Sequence, residues 1–145
     1  MAQDDFKHIL VGVDDSPDAL AAFQYAIHRA KADQAELIIA SILESDEMNV
    51  YQALSKDYVH GERADLEQHL SEYVKLAEKA GIAKVRAVIG EGDPGETIVK
   101  TLIPKYQPDL LVIGASAKTG LAKHFGSQAA YMAKHAPISV LVVRE

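Results

Sequence analysis

The sequence predicts an α/β protein: an open, twisted, five-stranded parallel sheet with helices on both faces. Three observations carry this. Five short apolar runs rich in Val, Ile and Leu recur along the chain, and such runs read as buried strands. Between them lie stretches with apolar residues at helical spacing. Strands that alternate with helices pair in parallel through right-handed crossovers, which cover both faces of the sheet.

Residues 7–13 form the first run, ended by Asp14-Asp15-Ser16-Pro17. Ser16 can cap a helix whose first residue is Pro17, where a missing N–H costs nothing. Ala19, Ala22, Phe23, Ala26, Ile27 and Ala30 follow on one helical face. Residues 36–43 are the second strand, too short for an ordinary helix. Residues 44–61 read as polar and irregular, with Met48, Val50, Tyr51 and Leu54 offering a short helical piece. An amphipathic helix is predicted over 62–80, with Leu66, Leu70, Tyr73, Val74 and Ala77 on one face and Gly81 as terminator. Residues 84–89 alternate like a strand. Asp93-Pro94 opens a helix carrying Ile98, Leu102 and Ile103, and Pro108 ends it. Residues 109–114 are the fourth strand, 127–135 a helix, and 138–143 the fifth strand.

The 145 residues correspond to a single domain spanning 1–145. There is no cysteine, which excludes disulfides, thiolate metal sites and cysteine nucleophiles. The first six residues are polar and acidic rather than basic then apolar, and no apolar run reaches the ~20 residues of a membrane span. The expected location is the cytoplasm, with no membrane partner. A net charge of −6 argues against nucleic acid, whose phosphates would be repelled.

In parallel sheets ligands bind beyond the carboxyl ends of the strands, so the informative segments are 14–16, 42–45, 90–95 and 114–127. Gly90-Glu-Gly-Asp-Pro-Gly95 matches G-x-G-x-x-G. However, Glu91 and Asp93 put negative charge where a pyrophosphate would sit, and no acidic residue ends the next strand. The simpler reading is a tight turn whose glycines permit positive φ, with Asp93 capping a helix that starts at Pro94. Gly114-Ala-Ser116-Ala-Lys118 departs from the nucleophile elbow G-x-S-x-G at its last position, and Ser116 lacks a His/Asp pair at the expected places. Asp14-Asp15 resembles the acidic pair of a receiver domain, but the third strand ends in Ile89-Gly90 without a phosphoacceptor Asp. Asp15 reads as charge at a helix N-terminus. Asp14 ends a buried strand at the ligand edge, where a carboxylate can hold ribose hydroxyls. His8, His28, His60, His69, His124 and His135 have no metal spacing.

The loop from Gly114 to Ser127 carries the most information. It holds Lys118 and Lys123 and delivers Gly126-Ser127 to a helix start. A helix N-terminus offers free N–H groups and a positive dipole end to an anion. Gly126 lets backbone approach a phosphate, and Ser127 can cap the helix and donate its hydroxyl. The alternative is a surface loop ending in an N-cap.

At this point the sequence resembles the universal stress protein family over nearly its whole length. The matching pieces are Ile9-Leu-Val-Gly-Val-Asp14-x-Ser16, the segment 36–44, Gly92-x-Pro94 with Ile98, Asp109-Leu-Leu-Val-Ile-Gly114, Gly126-Ser127, and His135-Ala-Pro137 followed by Val140-Leu-Val-Val143. The resemblance implies a Rossmann-like fold of the adenine nucleotide alpha hydrolase type, strand order 3-2-1-4-5. It also implies homodimers joined through the last strand, which opens on Ile138 and closes on Val143. Some members bind ATP through G-x2-G-x9-G-[ST]. By resemblance Asp14 would bind ribose, Val13 and Ile42 would flank adenine, and Gly114, Gly126 and Ser127 would face ribose or phosphates. Ala117 stands where the second glycine is expected, and eight residues rather than nine separate it from Gly126.

Three functions follow as expectations. The first is a dimeric stress regulator that binds ATP or another adenine nucleotide, with Mg²⁺ accompanying a triphosphate. The second is a nucleotide-free interaction protein. The third is a catalyst, at most a slow ATPase.

Overall fold

The computed structural model describes residues 5–44, 56–116 and 125–145, and side chains of the long second helix from Arg63 onward. In chain order the elements are β1 (His8–Gly12), α1 (Pro17–Asp33), β2 (Glu36–Leu43), α2 (Lys56–Lys79), β3 (Val85–Glu91), α3 (Pro94–Thr97), a π-helical turn (Ile98–Leu102), α4 (Ile103–Tyr106), β4 (Leu110–Gly114), α5 (Ser127–His135) and β5 (Ser139–Val143). The five strands form one sheet ordered β3-β2-β1-β4-β5, and every pairing is parallel. This is the expected fold and the expected order.

The period of two along each strand divides the core. Ile9, Val11, Leu37, Ile39, Leu110 and Val112 face α1 and α2, where Phe23 and Tyr73 meet edge-on with ring centroids 4.8 Å apart. Leu10, Ile38, Ala40, Leu111 and Ile113 face the other side, against Ile98, Leu102, Ala129 and Met132. Burial on both faces explains why β1, β2 and β4 read as continuous apolar runs, whereas the edge strand β3 alternates.

The helix caps expected at Ser16-Pro17 and Asp93-Pro94 are present: Ser16 Oγ accepts from Ala19 N–H, and the Asp93 carboxylate accepts from Glu96 N–H. Two local readings are corrected. Helix α2 starts at Lys56, so residues 56–61 are helical rather than irregular. The helical run after Pro94 is not uniform. Pro104 has no N–H to give the Lys100 carbonyl, and its ring would crowd that carbonyl. The backbone widens, so that Ile103 N–H reaches Ile98 O. The short helical piece expected around Met48 to Leu54 lies outside the described residues.

At the amino ends of the strands, Glu36 accepts from Arg86 through both oxygens and pairs with His8 Nδ1 at 3.0 Å. Among the described residues no helix is long and apolar enough to cross a membrane.

Candidate functional site

The carboxyl ends of the strands open into a cleft of about 580 Å³, a size suited to a small molecule. It lies where the strand order reverses, between β1 and β4. Val13, Asp14, Ile42, Gly114, Gly126 and Ser127 all line it. Ala117 lies outside the described residues, as do Lys118, Lys123 and His124.

Asp14 and Asp15 divide the work of the turn after β1. Asp14 Oδ1 accepts from Ser16 N–H at 3.0 Å and from Ser16 Oγ–H at 2.6 Å. This Asx-type turn leads the chain into α1 while the carboxylate stays exposed at the cleft. Asp15 does more than place charge at a helix end. It sits at φ 64°, in the left-handed region, and turns its carboxylate away toward α2. Its Oδ1 accepts from Tyr73 Oη–H at 2.6 Å, and Oδ2 lies 3.2 Å from His69 Nδ1. Burial, with the Asp15 carboxylate next, pushes the Tyr73 phenol pKa up, so this hydroxyl remains a donor.

The helix delivered by the loop differs from expectation at one position. Gly126, not Ser127, is the N-cap, and its backbone is extended at φ −72° and ψ 154°. Gly126 has no side chain to cap with, so no side-chain cap closes this helix start. Ser127 is the first helical residue. The next residue, Gln128, has a role no sequence signal announced. Its Oε1 accepts from Gly95 N–H at 2.8 Å and its Nε2 donates to Asp93 Oδ1 at 2.9 Å. One amide thereby ties the start of α5 to the start of α3.

That contact also accounts for the last glycine of G-x-G-x-x-G. Of these three glycines only Gly92 has positive φ, at 128°. Gly90 is a strand residue, and a Cβ there would come within 2.6 Å of Thr97 Cγ2. A Cβ at Gly95 would come within 2.7 Å of Gln128 Oε1. Two of the three glycines therefore serve close packing rather than positive φ.

Chemically, the described lining carries the carboxylates of Asp14 and Glu44 and no Lys, Arg or His. Ser116 lines the cleft without an imidazole beside it among the described residues. Its backbone N–H donates to Asp18 Oδ2 at 3.1 Å. Among the described residues no three His, Asp or Glu side chains converge on a metal site. The arrangement suits a ligand held by an apolar slot, a carboxylate and a helix N-terminus.

The family model described as the universal stress protein family matches residues 5–144. This chain belongs to the universal stress protein family. A protein of Staphylococcus haemolyticus, provisionally named a universal stress protein, is 32% identical over 140 residues, which is 96% of this chain and 85% of that protein. The universal stress protein UspA from Lactobacillus plantarum has a TM-score of 0.84 at 26% identity, covering 95% of this chain and 97% of its own. A universal stress protein solved in complex with cAMP has a TM-score of 0.72 at 26% identity, covering 97% of this chain and 98% of its own. In this universal stress protein, Asp14, just beyond β1, and the Gly126-Ser127 pair line one and the same cleft.

Proposed function

We propose that this universal stress protein binds an adenine nucleotide as a regulatory ligand in the cleft, and acts as a cytoplasmic homodimer in a stress response. The carrying observation is the convergence of Val13, Asp14, Ile42, Gly114, Gly126 and Ser127 on one cleft from four separate stretches of sequence. The relative solved with cAMP supports the ligand class. Adenine lies between Val13 and Ile42. Asp14 accepts from ribose hydroxyls through lone pairs that Ser16 does not occupy. A phosphate meets the uncapped N–H groups at the start of α5, with the Ser127 hydroxyl beside them. Ala117 belongs to the same loop and adds a methyl where ATP-binding relatives carry glycine. With ATP as ligand, Mg²⁺ arrives on the polyphosphate, since the described side chains offer it no cage of their own.

The dimer reading rests on β5. It is an edge strand whose residues Val140 to Val143 are only partly covered within one chain. Pairing with a second copy removes that edge.

Calorimetry with AMP, cAMP, ADP and ATP tests the proposal. Saturable binding of at least one is expected, weakened by ~1 kcal/mol or more in Ser127→Ala. Absence of heat for all four at millimolar concentration sinks it. The nucleotide-free interaction protein then stands, a reading favoured by the acidic described lining of Asp14 and Glu44.

A further inference from the structure

One carboxylate is shared between the ligand side of the sheet and the end of the edge strand. Asp18 stands in the first turn of α1. Its Oδ2 accepts from Ser116 N–H at 3.1 Å, and its Oδ1 accepts from Glu145 N–H at 2.8 Å. Ser116 lines the cleft, whereas Glu145 is exposed and lies just beyond β5.

Parallel links run beside this one. Ala115 N–H donates to Val143 O at 2.9 Å, and Ala115 O accepts from Gly126 N–H at 2.8 Å. The last residue of β5 is thus joined through one residue to the cap of α5. The Arg144 guanidinium lies 5.9 Å from the centroid of the Phe125 ring. Residues 143, 144 and 145 therefore approach Ala115, Phe125 and Asp18 in turn, of which Ala115 lines the cleft and Phe125 precedes the lining residue Gly126. Beneath them, the end of β4 is locked to α1: a Cβ at Gly114 would lie 2.8 Å from both Asp18 C and Ala19 N.

An ionised carboxylate is an acceptor only, so its two oxygens can hold two N–H groups at once, with charge strengthening each bond. An amide cannot, because its nitrogen would face one of the donors. We infer that Asp18 is a positioning residue of the nucleotide site, which joins Ser116 at the cleft to the residue beyond β5. Nucleotide binding and pairing of β5 with a second copy are thereby coupled, each altering the other by the same factor. This rests on the nucleotide reading above.

The test uses two substitutions. Asp18→Asn keeps the shape and removes one acceptor; AMP affinity is expected to fall about tenfold, or ~1.4 kcal/mol. Glu145→Pro removes the second N–H donor at an exposed position beyond β5, and Glu145→Ala, which keeps that N–H, is the control for loss of the side chain. In ligand-free protein Glu145→Pro should shift the backbone amide resonances of Ser116 and Gly126, and those shifts should vanish when Asp18→Ala is also present. A purely structural role for Asp18 would change stability without that dependence. AMP binding in Asp18→Asn within about twofold of the unmodified protein overturns the inference alone. Unchanged Ser116 and Gly126 resonances in Glu145→Pro overturn the coupling. Failure of the unmodified protein to bind AMP overturns the site role, whereas binding of ATP or cAMP instead leaves the nucleotide reading intact.

Discussion

Replacing Gly114 by alanine tests how tightly the end of β4 is held beneath α1. The added Cβ would sit 2.8 Å from Ala19 N and Asp18 C, and 2.9 Å from Asp18 Cβ. Two of those atoms are backbone, so no side chain can swing aside. To regain a separation of about 3.5 Å, the first turn of α1 must retreat by roughly 0.7 Å. That turn is held by the Ser16 cap and by the two bonds to Asp18. Overpacking of this kind costs about 1–3 kcal/mol. Gly12→Ala is the reference. It is also a strand glycine at the cleft, but its Cβ would meet nothing closer than Ile98 Cδ1 at 3.5 Å. There the entropy lost by the unfolded chain should stabilise by about 0.4–1 kcal/mol. Urea unfolding of the two variants should differ by about 1.4–4 kcal/mol, with unchanged m-values. Equal stabilities would refute the claim that β4 and α1 form one locked unit.

Two further outcomes are expected. Tyr73→Phe keeps the ring against Phe23 and removes the hydroxyl bond to Asp15. It should cost about 1 kcal/mol in urea unfolding, a modest value because Asp15 is half exposed; no loss would mean that Asp15 holds its left-handed turn unaided. Glu36 has a different pH signature. Burial raises its pKa, but the hydrogen bonds from Arg86 and His8 outweigh burial and leave it below the ordinary value of 4.5. A carboxylate depressed in the folded state contributes stability above its unfolded pKa and loses it as pH falls through the folded one. Melting temperatures of Glu36→Gln should therefore trail those of the unmodified protein at neutral pH and converge with them as pH falls through the depressed pKa of Glu36. A gap that persists in acid would contradict the assignment.

The elements legible in the sequence were those set by local chemistry. The apolar runs around Ile9 to Val11 and Leu37 to Ala40 became central strands because burial on both faces demands unbroken apolar residues. Ser16-Pro17 and Asp93-Pro94 began helices because capping depends on neighbours three residues away. The start of α2 was misplaced. Residues 56–61 carry polar side chains among their apolar ones, and helix extension from a packed segment does not require an amphipathic face. The π-helical turn had a visible cause in Pro104, but a proline inside a helix can end, kink or widen it, and the chain alone does not choose among these.

By itself, the sequence determined the alternation of strands and helices, the strand ends that border the cleft, and a family resemblance that the family model then matched over residues 5–144. Each depends on contacts near in sequence or on a pattern spread along it. The tertiary structure alone decided what the polar side chains near the cleft do. Asp18 reaches Ser116 and Glu145 across 98 and 127 residues, and Gln128 reaches Gly95 across 33. Such partners are chosen by the parallel crossovers that set α1 on one face of the sheet and α5 on the other, around the ends of β4 and β5. No local periodicity records that choice. For the same reason the glycines at 90 and 95, which resemble a phosphate-binding signature, proved to be places where Thr97 and Gln128 leave no room for a side chain.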